Sequence, residues 1–303
     1  MLRRILLPLI LVVLGYGFWI SPSFKEISAG VAIFLFGMLA MEQGFKSLTG
    51  GFLEKLLART TNRLWKSLCF GVVTTTLMQS SSLVSVIAIS FLGAGMITLV
   101  SGIGIIFGAN LGTTTGAWLV AGFGLKVSIS AYAMPMLAFG VLLIFQSSRT
   151  LKGIGYVLVG LGFLFLGIHY MKAGFEAFKE HVDLSAYAVA GFKGLLLYVA
   201  IGIAATVIMQ SSHATLVLTI TALASGQIGY ENALALAIGS NVGTTITAIL
   251  GAISSNVDGR RLAAAHLIFN LLTGAVAILL IGQLMWAVDT IAALIGIDRK
   301  SVV

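Results

Sequence analysis

Long uncharged apolar stretches recur along this chain, and they leave it few ways to fold. Each is at least about 18 residues long, enough to cross roughly 30 Å of hydrocarbon. The sequence has 303 residues, of which 58% are hydrophobic and only 9% charged. A soluble domain carries about a quarter charged residues, so this chain lacks the polar surface to stay dissolved. Inside a bilayer only helices or closed barrels satisfy every backbone group. Long unbroken runs, rather than ten-residue alternating ones, select helices.

The expected membrane segments are Ile5–Ile20, Ser28–Leu48, Ser67–Gly95, Thr98–Ala121, Val127–Phe145, Lys152–Met171, Lys193–Gly226, Asn232–Ser254 and Leu262–Ile281, with a further piece over Gly282–Ile297. No Pro-, Ser- or charge-rich linker divides them. The formal net charge of +8 comes from basic residues in short connections. That placement follows the positive-inside rule and argues against nucleic-acid binding. The single cysteine, Cys69, excludes an internal disulfide and any thiolate metal cluster. No small-residue cleavage pattern follows Ile20, so the first apolar run is read as a retained helix. Trp19, Trp65, Trp118 and Trp286 fall near segment ends, as interfacial anchors do.

Two polar motifs occur twice. Met78-Gln79-Ser80-Ser81 recurs as Met209-Gln210-Ser211-Ser212. Gly108-Ala109-Asn110-Leu111-Gly112-Thr113-Thr114 recurs as Gly239-Ser240-Asn241-Val242-Gly243-Thr244-Thr245, and Gly71 recurs as Gly202. The offset is 131 each time (79 to 210, 108 to 239, 71 to 202). A weaker echo pairs Met41, Gly44 and Phe45 with Met171, Gly174 and Phe175 at an offset of 130. Chance likeness of apolar helices would match Leu, Val and Ala. Here the polar and glycine positions match, and this marks a duplication.

Spacing and charge give the orientation of the copies. Each polar tip breaks its segment into arms of roughly 13 to 17 residues, which rise only about 20–25 Å. Such arms suit a re-entrant hairpin, leaving three crossings per repeat, and an odd number inverts the second copy. The connection before the first tip carries Lys46, Lys55, Arg59, Arg63 and Lys66 against Glu54. Its counterpart carries Glu176, Glu180 and Asp183 against Lys179 and Lys193. The first therefore belongs in the cytoplasm with Arg3, Arg4, Arg149, Lys152, Arg260 and Arg261, and the second outside. The expected fold is an all-α polytopic membrane protein of two inverted repeats, each with a re-entrant helical hairpin and about three crossing helices. Residues 1–27 form an N-terminal helix and turn, 28–148 the first repeat, 149–281 the second, and 282–303 a tail. The N-terminus is cytoplasmic. Leu262–Ile297 exceeds one untilted span, so Gly282–Ile297 either returns or leaves Arg299 and Lys300 outside.

The tips carry the chemistry. Each unpaired polar group in hydrocarbon costs several kcal/mol, so the tips must line a protein-enclosed cavity. Where each segment resumes after its break, a helix N-terminus presents free N–H groups and a positive dipole end. Serine hydroxyls beside them make an oxyanion cradle without any cationic side chain. The tip residues are Gln79, Ser80, Ser81 and Ser82, and Gln210, Ser211, Ser212 and His213. Their hydroxyls and Gln carbonyls are also hard donors for an alkali cation. The Gly-x-Asn-x-Gly-Thr-Thr elements admit close helix packing or a ligand role for Asn110, Thr113, Asn241 and Thr244. His213 stands where the first copy has Ser82, as a proton relay or a neutral hydrogen-bond donor. Glu42, His169 and Lys172 fall near the expected ends of their helices, where snorkelling accounts for them. Ser212 and His213 do not make a nucleophile–base pair, because adjacent helical residues point about 100° apart; the chain is not read as an enzyme.

At these motifs the sequence resembles the type II sodium-dependent phosphate cotransporters, from about Ser28 to Leu280. The resemblance implies a bacterial member ending without the family's C-terminal soluble regulatory domain, seated in the inner (plasma) membrane. It implies sodium-coupled symport of inorganic phosphate, with no cofactor beyond the coupling ions. Phosphate would be held by the two Gln-Ser-Ser tips. Sodium would take Gln210, Ser211, Ser212, Thr244 and Thr247, with Asn110, Thr113 and Asn241 as further donors. This sequence departs from the pattern at His213, at Leu83 and at Gly116, which lacks the hydroxyl that Thr247 supplies. Residue physics alone leaves open another tetrahedral oxyanion, or a passive anion channel.

Overall fold

Backbone groups that find no water must bond within their own segment, and this chain meets that demand with helices alone among its described residues. The computed structural model describes residues 2–49, 63–119, 129–179, 189 and 191–294. In chain order the helices are α1 Leu2–Ile20, α2 Pro22–Thr49, α3 Leu64–Met78, α4 Ser81–Gly93, α5 Leu99–Leu119, α6 Ile129–Ile144, α7 Arg149–Lys179, α8 Gly191–Met209, α9 Ser212–Ala224, α10 Tyr230–Gly243, α11 Thr245–Ala252, α12 Val257–Leu279 and α13 Ile281–Leu294. Five stretches are long and apolar enough to cross a membrane: α2, α7, α8, α12 and the run Tyr230–Ala252. The four tryptophans of the segment ends are all exposed, from 58% at Trp65 to 89% at Trp19.

Both expected breaks occur at the glutamines. Several other boundaries differ from the sequence reading. Helix α7 runs to Lys179, so His169 and Lys172 lie inside it rather than near its end. There Lys172 pairs with Glu176 at 3.9 Å, both side chains exposed. The run expected over Asn232–Ser254 is interrupted at Thr244, whereas α5, its counterpart, is continuous through Thr113. At the interruption the Thr247 N–H bonds three residues back, to the Thr244 carbonyl at 3.3 Å. Within the expected Leu262–Ile297 stretch, Leu280 separates α12 from α13. Glu54, Lys55, Arg59, Glu180, Asp183, Ile297, Arg299 and Lys300 lie outside the described residues.

Glycines set how the helices approach one another. A Cβ on Gly71 would strike the Ile105 carbonyl, and one on Gly202 the Leu236 carbonyl. Gly108 sits on Leu68 and Gly239 on Val199 in the same way. Every one of these contacts recurs at the 131-residue offset. The contact order is parallel: α3 and α5 run alongside each other in one direction, as do α8 and α10, with Gly104 near the start of α5 against Leu64 at the start of α3. Helix α4 therefore carries the chain back from Gln79 toward the end where α3 began.

Helices α2 and α7 pack antiparallel along a glycine seam. Gly30, Gly37 and Gly44 recur every seven residues on α2, and Gly153, Gly160, Gly167 and Gly174 on α7. A Cβ on Gly37 would stand 2.7 Å from the Gly160 carbonyl and the Leu164 N, and one on Gly167 2.7 Å from the Gly30 carbonyl. Gly44 meets Gly153 and Val157, and Gly174 meets Ser23 and Ile27. Shifting one helix's partners by 130 yields the other's, so the seam maps onto itself when the two helices are exchanged. The larger buried core lies between α4, α5, α11 and α12, with Ile89, Ile105, Ile106 and Leu262 no more than 2% exposed.

Candidate functional site

The tip geometry follows from the residues at each break. Gln79 and Gln210 are the only non-glycine residues with positive φ among those described, at 50° and 54°. That left-handed turn ends a helix as a C-cap does. Each glutamine then reaches back with its own amide: Gln79 Nε2 donates to the Thr76 carbonyl and Gln210 Nε2 to the Val207 carbonyl, both at 2.6 Å. Gln79 also donates to Thr115 Oγ1 at 3.1 Å. The next residue starts the second arm. Ser80, in extended backbone, caps α4 by accepting from the Leu83 N–H at 3.3 Å; Ser211 caps α9 by accepting from the Ala214 N–H at 3.2 Å. These bonds occupy one orphan N–H at each helix start. The N–H groups of Ser81 and Ser82, and of Ser212 and His213, stay free of intrahelical partners.

Both tips open into one cavity of about 270 Å³. All eight residues expected to meet the anion line it: Gln79, Ser80, Ser81, Ser82, Gln210, Ser211, Ser212 and His213. A liquid water occupies about 30 Å³, so an oxyanion and several waters fit. The remaining wall is Met209 and the α2 face bearing Leu35, Met38, Leu39 and Glu42. Among the described residues, no lysine or arginine contributes to this lining. Any anion there would be met by hydroxyls, free N–H groups and two helix dipoles.

The tips differ in their surroundings. Gln79 is buried and Gln210 exposed. In the second repeat, Thr206 and Thr215 join the two arms through hydroxyls 2.8 Å apart. In the first, the matching positions are Thr75 and Val84, and the buried Thr75 hydroxyl has no partner.

The expected cation residues divide. Gln210, Ser211 and Ser212 line the cavity, whereas Thr244, Thr247, Asn110, Thr113 and Asn241 are not among its lining residues. The bridge is Thr247, whose hydroxyl donates to Ser82 Oγ at 3.1 Å, across from one repeat to the other. The position related to this contact by the 131-residue offset is Gly116 against His213. A Cβ on Gly116 would come within 2.5 Å of His213 Nε2 and 2.7 Å of Gln79 Oε1. The absent hydroxyl of Gly116 thus makes room for the larger side chain at 213. His213 hydrogen-bonds the Thr113 carbonyl, while its Nε2 is buried without a partner. Thr244 donates to the Ser240 carbonyl at 3.0 Å, and Thr113 to the Ala109 carbonyl at 2.9 Å. Asn241 engages Asn270 of α12 through side chain and carbonyl, and Asn110 Nδ2 is buried without a partner.

Glu42 is the site residue that sequence reasoning passed over. Its place near the expected end of its helix suits a snorkelling acid, yet α2 carries it into the cavity wall, with Oε1 2.6 Å from Lys46 Nζ. Its position one turn beyond Met38 on an otherwise apolar face was the available signal.

Comparison with known proteins bears on this site. The profile of the Na+/Pi-cotransporter family matches residues 33–173 and 187–297. The chain is 31% identical to the uncharacterized protein YqeW of Bacillus subtilis over 82% of its own length and 79% of that protein's. It is 28% identical to the putative inorganic phosphate export protein YjbB of Escherichia coli K12 over 81% of its length, and 26% identical to the Salmonella typhimurium protein of that name over 84%. It spans about half the length of these export proteins, 45% and 46%. No solved structure matches. With its helices, its doubled tips and this profile match over most of its length, the chain is a multi-pass membrane protein that belongs to the Na+/Pi-cotransporter family.

Proposed function

We propose that the chain carries inorganic phosphate together with sodium across the plasma membrane by alternating access around the two tips. The observation that carries this reading is the convergence of both Gln-Ser-Ser tips, 131 residues apart, on one cavity with no cationic side chain among the described residues of its wall. Two inverted repeats, 28–148 and 149–281, would enclose it, with the helix of 1–27 ahead, the tail of 282–303 behind, and the N-terminus cytoplasmic. Inversion is supported by the α2–α7 seam: helices that exchange partners while running antiparallel are related by a two-fold perpendicular to their axes. A re-entrant course is supported by the short arms α3, α4 and α9, of 15, 13 and 13 residues, which rise only about 20–23 Å. A symporter runs in whichever direction its combined gradients dictate, so the export in some relatives' name and the sodium in the family's are compatible.

The test is radiolabelled phosphate uptake into proteoliposomes of the full chain. An imposed inward sodium gradient is expected to concentrate phosphate above its external level, whereas potassium or choline is not. Equilibration without accumulation would instead establish a passive anion channel.

Ser81 and Ser212 each offer a hydroxyl at the first helical position of α4 and α9, and both are buried in the cavity wall. A hydrogen bond to a charged group contributes roughly 1.5–3 kcal/mol net. Ser81→Ala and Ser212→Ala are each expected to lower apparent phosphate affinity about ten- to a hundredfold. Unchanged half-saturation in both correctly inserted variants would remove the tips from the binding site.

For sodium, the second repeat is the stronger candidate, because there the helix is interrupted at Thr244 and Thr247 reaches Ser82. Thr247→Val, nearly isosteric, is expected to raise the sodium concentration for half-maximal uptake. Thr114→Val should not, since that exposed hydroxyl merely bonds the Leu111 carbonyl of its own helix. Equal sodium dependence of the two variants would refute the assignment.

A further inference from the structure

We infer that Glu42 makes this cavity selective for tetrahedral oxyanions that still carry a proton, so that hydrogen phosphate is accepted and sulfate refused. The inference rests on the phosphate reading above and concerns only how the same cavity chooses among anions.

A carboxylate in the wall of an anion cavity is a repulsive group unless something reconciles the charges. Glu42 lines the cavity from α2, together with both tips. Its Oε1 is held by Lys46 at 2.6 Å, one turn along the same helix. Lys46 itself is outside the cavity lining and its side chain is 47% exposed, so the ammonium steadies the carboxylate without reaching the anion's space. The bonds described engage Oε1 alone, which leaves Oε2 as an acceptor. The other polar lining groups are hydroxyls, amides and the His213 ring, whose Nε2 is buried without a partner.

An ionised carboxylate can only accept hydrogen bonds. Serine hydroxyls and helix N–H groups can only improve the binding of any oxyanion, since all tetrahedral oxyanions present equivalent acceptor oxygens to them. Among the described lining residues Glu42 is the one charged acceptor, and so the wall group that most strongly tells these anions apart. Hydrogen phosphate and hydrogen arsenate bring a P–OH or As–OH donor to Glu42 and acceptors to the tips. Sulfate at neutral pH has no proton, so one of its oxygens would face the carboxylate as like charge against like charge, with no hydrogen between them. Specificity of this kind works by refusing the wrong partner rather than by gripping the right one harder. Sites built to hydrogen-bond a ligand's own O–H reject analogues lacking it by several orders of magnitude.

The experiment is competition against sodium-driven phosphate uptake by the full chain in proteoliposomes at neutral pH. In the wild type, arsenate is expected to inhibit at concentrations within about tenfold of phosphate, and sulfate only at about a hundredfold more or higher. Glu42→Gln keeps the shape and adds a donor. It is expected to lower phosphate affinity and to make sulfate at least about tenfold more effective relative to phosphate. Lys46→Gln, which leaves the carboxylate in place, should keep the exclusion of sulfate. Sulfate matching arsenate in the wild type overturns the inference without any variant, as does a Glu42→Gln protein that takes up phosphate with the wild-type sulfate ratio. Robust phosphate uptake with either result leaves the transport reading standing. Failure of the wild type to take up phosphate under any gradient overturns both.

Discussion

Gly37→Leu is expected to prevent the chain from reaching its folded state, while Gly15→Leu is expected to be silent. A Cβ on Gly37 would lie 2.7 Å from backbone atoms on two successive turns of α7, the Gly160 carbonyl and the Leu164 N, whereas nothing lies within 4 Å of a Cβ on Gly15. Overpacking a core commonly costs about 1–3 kcal/mol. Here the obstacle is main chain, which cannot swing aside, and the leucine brings three more carbons, so the cost falls at or beyond the top of that range. Thermal unfolding in detergent, followed by size-exclusion chromatography, is the measurement. Gly37→Leu should be lost to aggregation or melt about 10 °C lower. Similar melting of the two variants would mean that α2 and α7 are not in contact along this seam.

The second large effect is a coupling between positions 116 and 213. Gly116→Thr places its Cβ within 2.5 Å of His213 Nε2 and 2.7 Å of Gln79 Oε1, and should be strongly destabilising and transport-dead. His213→Ser alone opens a void and removes the hydrogen bond to the Thr113 carbonyl. Together the two changes recreate the pair that the chain already uses at Ser82 and Thr247, with hydroxyls 3.1 Å apart. The double variant should therefore be more stable than Gly116→Thr by about 2 kcal/mol, well beyond additivity. Strictly additive losses would mean that the two contacts are not structural counterparts.

What could be read in the sequence was whatever is costly in a membrane. Polar triplets in mid-segment and glycines at a fixed offset stand out because hydrocarbon penalises the first and close packing suits the second, so the breaks at Gln79 and Gln210 and close helix contacts at the repeated glycines could be anticipated. The glycine seam was equally visible at seven-residue spacing, though only Gly44 and Gly174 were picked up in the weaker echo. Glu42 was harder. A single acid near a helix end is ordinarily a snorkelling residue, and only the rotation of α2 set by its seam with α7 decides which way it faces. The capping work of Ser80 and Ser211 and the backward reach of Gln79 and Gln210 were also out of view, because a motif shared by two functions does not announce how its atoms are divided. The interruption at Thr244 has no counterpart at Thr113 despite the same Gly-Thr-Thr sequence, so its origin lies in the residues that differ beside the triplet and in neighbours across the fold. Ser82 beneath Thr247 is one such neighbour.

The unequal fastening of the two pairs of arms has a consequence for which one yields first. Thr206 and Thr215 clasp α8 to α9, and parting them sacrifices a buried hydroxyl pair. Between α3 and α4 there is no such clasp. Thr75 is instead sealed in without a partner, a state that costs about 1–3 kcal/mol until water reaches the hydroxyl. Parting α8 from α9 therefore gives up a hydrogen bond, whereas parting α3 from α4 lets water relieve Thr75. One arm pair is latched and the other is propped against a spring, so the two part at unequal cost, and the asymmetry traces to Thr215 standing where the first copy has Val84.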